Sequence, residues 1–142
     1  MMYDKLLTFG TDQAVTSSAA STDIIDLGAV RDLGNGEPLE LVILVTETVT
    51  ASGAATVTFA FETDDNSGFS SAATLATTSA IGKASLTAGV EVLRVKVPLG
   101  VERYLRINYT VATGPLTAGK FTAFLCEERQ ANTAYASGFT VS

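Results

Sequence analysis

Apolar residues along this chain cluster in short runs or alternate with polar ones, and nowhere do they recur with helical spacing. The longest run, Leu41-Val42-Ile43-Leu44-Val45 within residues 39–50, is rich in β-branched side chains. A short run that is apolar throughout fits a strand buried on both faces better than a helix. Such a strand requires neighbours on both edges, so the flanking sequence should supply more strands. In residues 55–63, Val57, Phe59 and Phe61 alternate with Thr56, Thr58, Ala60 and Glu62, the period of a half-buried strand. Only Ala51-Ser52-Gly53-Ala54 separates the two, and an antiparallel hairpin is the simplest pairing.

The remaining pattern is of the same kind. Asp23-Ile24-Ile25-Asp26-Leu27 is a short β-favouring segment closed by Gly28. Residues 69–86 carry apolar mass for no more than short edge strands or a long connection. A strand over 90–97 is broken by Pro98-Leu99-Gly100, and residues 103–111 follow. There Leu105, Ile107, Tyr109 and Val111 share one face, while Tyr104, Arg106, Asn108 and Thr110 share the other. Residues 120–126 make the last strand. Turn formers punctuate the series: Asp32-Leu33-Gly34-Asn35-Gly36-Glu37-Pro38, Asp64-Asp65-Asn66-Ser67-Gly68 and Thr113-Gly114-Pro115. About seven or eight short strands without an amphipathic helix predict an all-β sandwich or barrel. Residues 1–20 read as a polar extended arm with at most one short strand, residues 21–126 as the sandwich, and residues 127–142 as a second arm. No internal repeat is present.

Composition narrows the picture. At 142 residues the chain is of single-domain size. Its charged fraction of 17% lies below the roughly 25% usual for soluble domains, so Thr, Ser and Ala must cover much of the surface, as on a subunit packed against others. A net charge of −6 and a pI near 4.5, with no basic cluster, argue against nucleic acid as a partner. No apolar stretch approaches membrane-spanning length and the amino end has no signal-like apolar region, so a soluble, unexported chain is expected. A single cysteine, Cys126, agrees with a reducing compartment.

The chain contains no histidine, which removes Ser-His-Asp and Cys-His catalysis and imidazole-based zinc sites. Cys126 ends an apolar strand and reads as a small buried hydrophobe rather than a nucleophile. Carboxylates remain. Asp23 and Asp26 are three apart and on a strand point to opposite faces. Asp64 with Asp65, and Glu127 with Glu128, read as solvated charges. The Asp64-Asp65-Asn66-Ser67 run offers oxygen ligands suited to calcium but lacks the spacing of a twelve-residue calcium loop, and an Asx-type turn is the simpler reading. Gly34-Asn35-Gly36 precedes a strand and opens no helix, so it is a turn rather than a phosphate loop. Asn108-Tyr109-Thr110 matches the glycosylation pattern by chance. Arg103, Tyr104 and Arg106 read either as a recognition patch or as the polar cover of a strand.

Four stretches carry a likeness in their order and spacing: Ser21-Thr22-Asp23-Ile24-Ile25-Asp26-Leu27-Gly28, Gly34-Asn35-Gly36-Glu37-Pro38-Leu39, residues 56–69 with Thr63-Asp64-Asp65-Asn66-Ser67, and Arg103-Tyr104-Leu105-Arg106-Ile107. Over about residues 3–126 the chain resembles the capsid cement (decoration) proteins of short-tailed bacteriophages. The resemblance implies a jelly-roll sandwich on the outer surface of an icosahedral head, made in the host cytoplasm. It also implies a small homo-oligomer, a dimer or a trimer, that clamps neighbouring major capsid proteins without catalysis or cofactor. The family has no contact motif to carry over. Residue chemistry and position in the arms, beside the 32–38 turn and on the strand face nominate Tyr3, Arg31, Arg103, Tyr104, Arg106, Arg129, Tyr135 and Phe139 as capsid or subunit contacts. The alternative is a glycan-binding or receptor-binding β-sandwich module. A hydrolase built on paired carboxylates is the third reading.

Overall fold

A computed structural model describes residues 5–28 and 39–127. It consists of ten β-strands and two single 3-10 turns, Lys5–Leu7 and Lys83–Ser85. The strands are β1 (Thr8–Ala14), β2 (Ala19–Ala20), β3 (Ile25–Asp26), β4 (Glu40–Thr50), β5 (Thr56–Asp64), β6 (Ala73–Thr77), β7 (Ile81–Gly82), β8 (Glu91–Lys96), β9 (Tyr104–Ala112) and β10 (Ala118–Cys126). One sheet has the order β1-β10-β4-β8. The other has β2-β9-β5-β6, with β3 beside β2 on β9 and β7 beside β6 on β5. Because β2 and β3 share one position and β6 and β7 another, the ten segments fill eight places. Two four-position sheets in this order, with every pairing antiparallel, are the jelly roll, an all-β sandwich.

The core lies between the sheets. Leu41, Ile43 and Val45 of β4 face Val57, Phe59 and Phe61 of β5, with Leu105, Ile107, Tyr109, Phe121, Ala123 and Leu125 completing it. Phe59 sits edge-on to both Tyr109 and Phe121, at ring separations of 5.7 and 5.1 Å, a geometry that aligns ring edges with ring faces. On the other side of β4 and β10, Val42, Phe124 and Cys126 form a second buried cluster with Leu44. The central run is thus buried on both faces, as its unbroken apolar sequence predicts.

Two expectations change. β4 and β5 do not form a hairpin: β4 pairs with β10 and β8, β5 with β9, β6 and β7. As hairpin neighbours their apolar faces would line the same wall of the core and leave the facing wall bare. The small residues of 51–55 instead carry the chain across to the opposite sheet, so the two faces meet. Nor is the amino-terminal region an arm beyond residue 7. β1 pairs with β10 from Thr8↔Phe124 to Ala14↔Lys120, Phe9 and Val15 are fully buried, and β2 pairs with β9. Two register shifts in β1 and its exposed second half hide the strand from a period-two reading. The turn over 32–38 and the carboxy-terminal arm beyond Glu127 lie outside the described residues.

Candidate interaction surface

The outer face of the β2-β9-β5-β6 sheet gathers three of the nominated residues. The β5–β9 register sets Arg106 opposite Glu62, and Tyr104 opposite Asp64, while β3 brings Asp26 beside Tyr104. Arg106 Nε donates to Glu62 Oε2 at 2.7 Å, and its guanidinium lies 4.3 Å from the centre of the Phe69 ring. Arg103 makes a forked pair with Asp26, Nε to Oδ1 at 2.9 Å and an Nη to Oδ2 at 3.2 Å, and covers the Tyr104 ring at 5.0 Å. The Arg103 bond, helped by the Gly28 amide, holds the Asp26 carboxyl below its ordinary value. Both arginines are therefore fixed by a carboxylate and an aromatic ring at once. This is the arrangement of polar cover on a strand face. Tyr3, Arg31, Arg129, Tyr135 and Phe139 lie outside the described residues.

Carboxylate chemistry is committed elsewhere. Asp23 pairs with Lys5, Glu40 with Arg94 and Glu47 with Lys120. Asp64, at 1% exposure, accepts the Ser71 amide at 2.8 Å through Oδ2 and the Asn66 amide at 3.2 Å through Oδ1. Asn66 Oδ1 in turn accepts the Gly68 amide at 2.7 Å. These are two successive Asx turns. The Ser71 amide above all keeps the Asp64 carboxyl below its ordinary value against the opposing effect of burial. Cys126 is a buried free thiol, pushed upward by burial and then by the Glu40 charge. That is the reverse of what a nucleophilic thiolate needs. Among the described residues no cluster of three carboxylate or thiol groups could hold a metal ion, and no helix is long and apolar enough to cross a membrane.

Features outside the nominated set complete the surface. Leu6, Ile24 and Leu99 are the large apolar side chains left exposed among the described residues. Leu6 and Ile24, with Lys5, Thr8 and Asp23, line a shallow recess of about 240 Å³. Leu99 stands between Pro98 and Gly100 in the β8–β9 connection, and an apolar residue inside a turn was the sequence signal for it. Glu62 and Phe69, which hold Arg106, had no such signal, because their proximity depends on a register between strands some forty residues apart.

The Bbp16 family matches the chain over residues 9–125, from the second residue of β1 to the penultimate residue of β10. No curated protein matches it at a significant level. The chain belongs to the Bbp16 family, which is phage-related.

Proposed function

We propose that this Bbp16-family chain is a non-catalytic virion protein that sits on the outside of an icosahedral phage head and cements neighbouring major capsid proteins. The observation that carries the reading is the strand order, β1-β10-β4-β8 against β2-β9-β5-β6, since double-sheet jelly rolls recur in viral coat domains. A phage-related family and a weakly charged surface are in keeping with it. Small patches can hold such a protein to a lattice, because engaging one capsomer makes engagement of the next effectively intramolecular. Preferential binding to the assembled shell then stabilises the shell by linkage. The chain would act as a homodimer or trimer, without cofactor, nucleic acid or membrane.

Jelly rolls also serve lectins, but a sugar site needs exposed rings for stacking. Among the described residues, Phe9, Phe59, Phe61, Tyr109, Phe121 and Phe124 are fully buried, and Tyr104 and Phe69 lie against guanidinium groups. The test is sedimentation of purified protein with heads that lack it and, separately, with unassembled major capsid protein. Saturable binding to heads, with a raised temperature of head disruption, is the expected result; a protein that stays in the supernatant at all concentrations overturns the reading. Removing Gln130–Ser142 measures the contribution of the carboxy-terminal arm.

A further inference from the structure

The two ends of the sandwich are built differently. At one end the connections β1–β2, β4–β5, β7–β8 and β9–β10 are knitted together. Leu116 N donates to Thr16 O at 2.8 Å and Thr117 N to Thr50 O at 2.7 Å, with the Thr50 and Thr117 hydroxyls also bonded at 2.7 Å. Lys83 Nζ reaches across to Ala51 O at 2.6 Å. Their apolar residues Val15, Ala55, Leu86 and Leu116 are tucked inside. This end offers short polar turns to the solvent.

The opposite end collects Thr8 of β1, Glu40 of β4, Lys96 of β8 and Cys126 of β10 in one sheet, and Asp26, Asp64 and Tyr104 in the other. The Asp23 N to Phe9 O bond of 2.9 Å ties the sheets there. All three exposed apolar side chains belong to it. Leu6 is 82% exposed and Ile24 40%, beside β1, and Leu99 is 71% exposed, beyond β8. Since β1 and β8 are the two edges of their sheet, the strands flanked by these anchors are about three interstrand spacings apart, roughly 14 Å. The described segments also begin and end here, at Lys5, Gly28, Leu39 and Glu127.

Resting on the cement reading above, we propose that this end of the sandwich, rather than either sheet face, docks on the assembled protein shell. Leucines at the two corners supply apolar anchors, and the Lys5–Asp23 and Arg103–Asp26 pairs form a polar rim, the usual plan of a protein–protein contact. Lys5 and Arg103 at this end already hold aspartates, and with a net charge of −6 the chain suits a protein partner and not a polyanion.

The full-length chain carrying Leu6→Asp with Leu99→Asp is compared with wild type and with Ser52→Asp/Ala54→Asp, placed on exposed positions of the far end. Thermal melts confirm folding, which exposed sites should preserve, and co-sedimentation with cement-free heads reads affinity. The near-end double variant should bind about tenfold or more weakly, as for loss of buried apolar anchors, and the far-end variant as wild type. Equal binding by wild type and the near-end variant, or loss confined to the far-end variant, overturns the end-on assignment alone. Failure of wild type to bind heads overturns the cement reading and the assignment with it.

Discussion

Tyr109 carries a buried side-chain oxygen with no hydrogen-bond partner. Its ring stacks on Phe121 at 5.5 Å and 17°, so packing holds the residue while the hydroxyl goes unsatisfied. Burial alone raises its ionisation far above the usual tyrosine value. An orphaned buried hydroxyl costs stability, and Tyr109→Phe should raise the unfolding free energy by about 1 kcal/mol, read as a higher urea midpoint. A loss of similar size would mean that a water satisfies the hydroxyl. Asp64 works in the other direction. Its folded value lies below the ordinary 3.8, so the stability it confers is complete above that value and fades as pH falls through the lower folded one. Asp26 behaves alike. Urea titrations from pH 7 to pH 2 should therefore show stability falling below about pH 4, with a shallower fall in Asp64→Asn. An unchanged acid limb in that variant would remove Asp64 from the account. The Asx turn at this position was legible because Asp, Asn and Gly each act on the adjacent backbone. The Ser71 amide was not, since it reaches Asp64 only after the chain has curled back.

At the scale of single strands, Gly119 is the point on which β10 turns. It sits where the β10–β4 register shifts between Ala118↔Thr50 and Lys120↔Glu47, with φ at +153°, and an added Cβ would meet Val49 Cγ2 at 3.0 Å. Bulges of this kind bend a strand at a sheet rim. Gly119→Ala should cost about 1–2 kcal/mol from strain and crowding, read as a lower denaturant midpoint with an unchanged slope; a neutral substitution would show that the rim relaxes freely. Strand faces were readable because alternation is local: Val57, Phe59 and Phe61 inward, Arg106 and Asn108 outward. Partners were less so. A short link between β4 and β5 favours a hairpin by proximity, and only the need to cover both walls of one core overrides it. β1 escaped notice because its register shifts interrupt the alternation after Gly10.

For the molecule as a whole, pairing β1 with β10 makes the first strand part of the fold rather than an appendage. Phe9 packs edge-on against Phe61 at 5.8 Å, and Asp12 N bonds Thr122 Oγ1 at 3.0 Å. Deleting residues 1–14 should abolish the cooperative melt, followed by circular dichroism, because it strips β10 of one neighbour and opens the core beside Phe61 and Phe121. A truncated chain that melts cooperatively near the wild-type temperature would restore the arm reading for that region. Pairing elements from opposite ends of the sequence also makes formation slow, since the longest loop must close before that ladder rewards it.

The same pairing sets the first strand and the last side by side, Thr8 opposite Phe124. Where a chain starts is then almost arbitrary with respect to its ladders. A gene rearranged to open at Ser52-Gly53-Ala54, with a flexible bridge leading from Glu127 to Lys5, would preserve every strand pairing. It would also move both new termini to the opposite end of the sandwich, where attached cargo would point away from whatever the leucines hold.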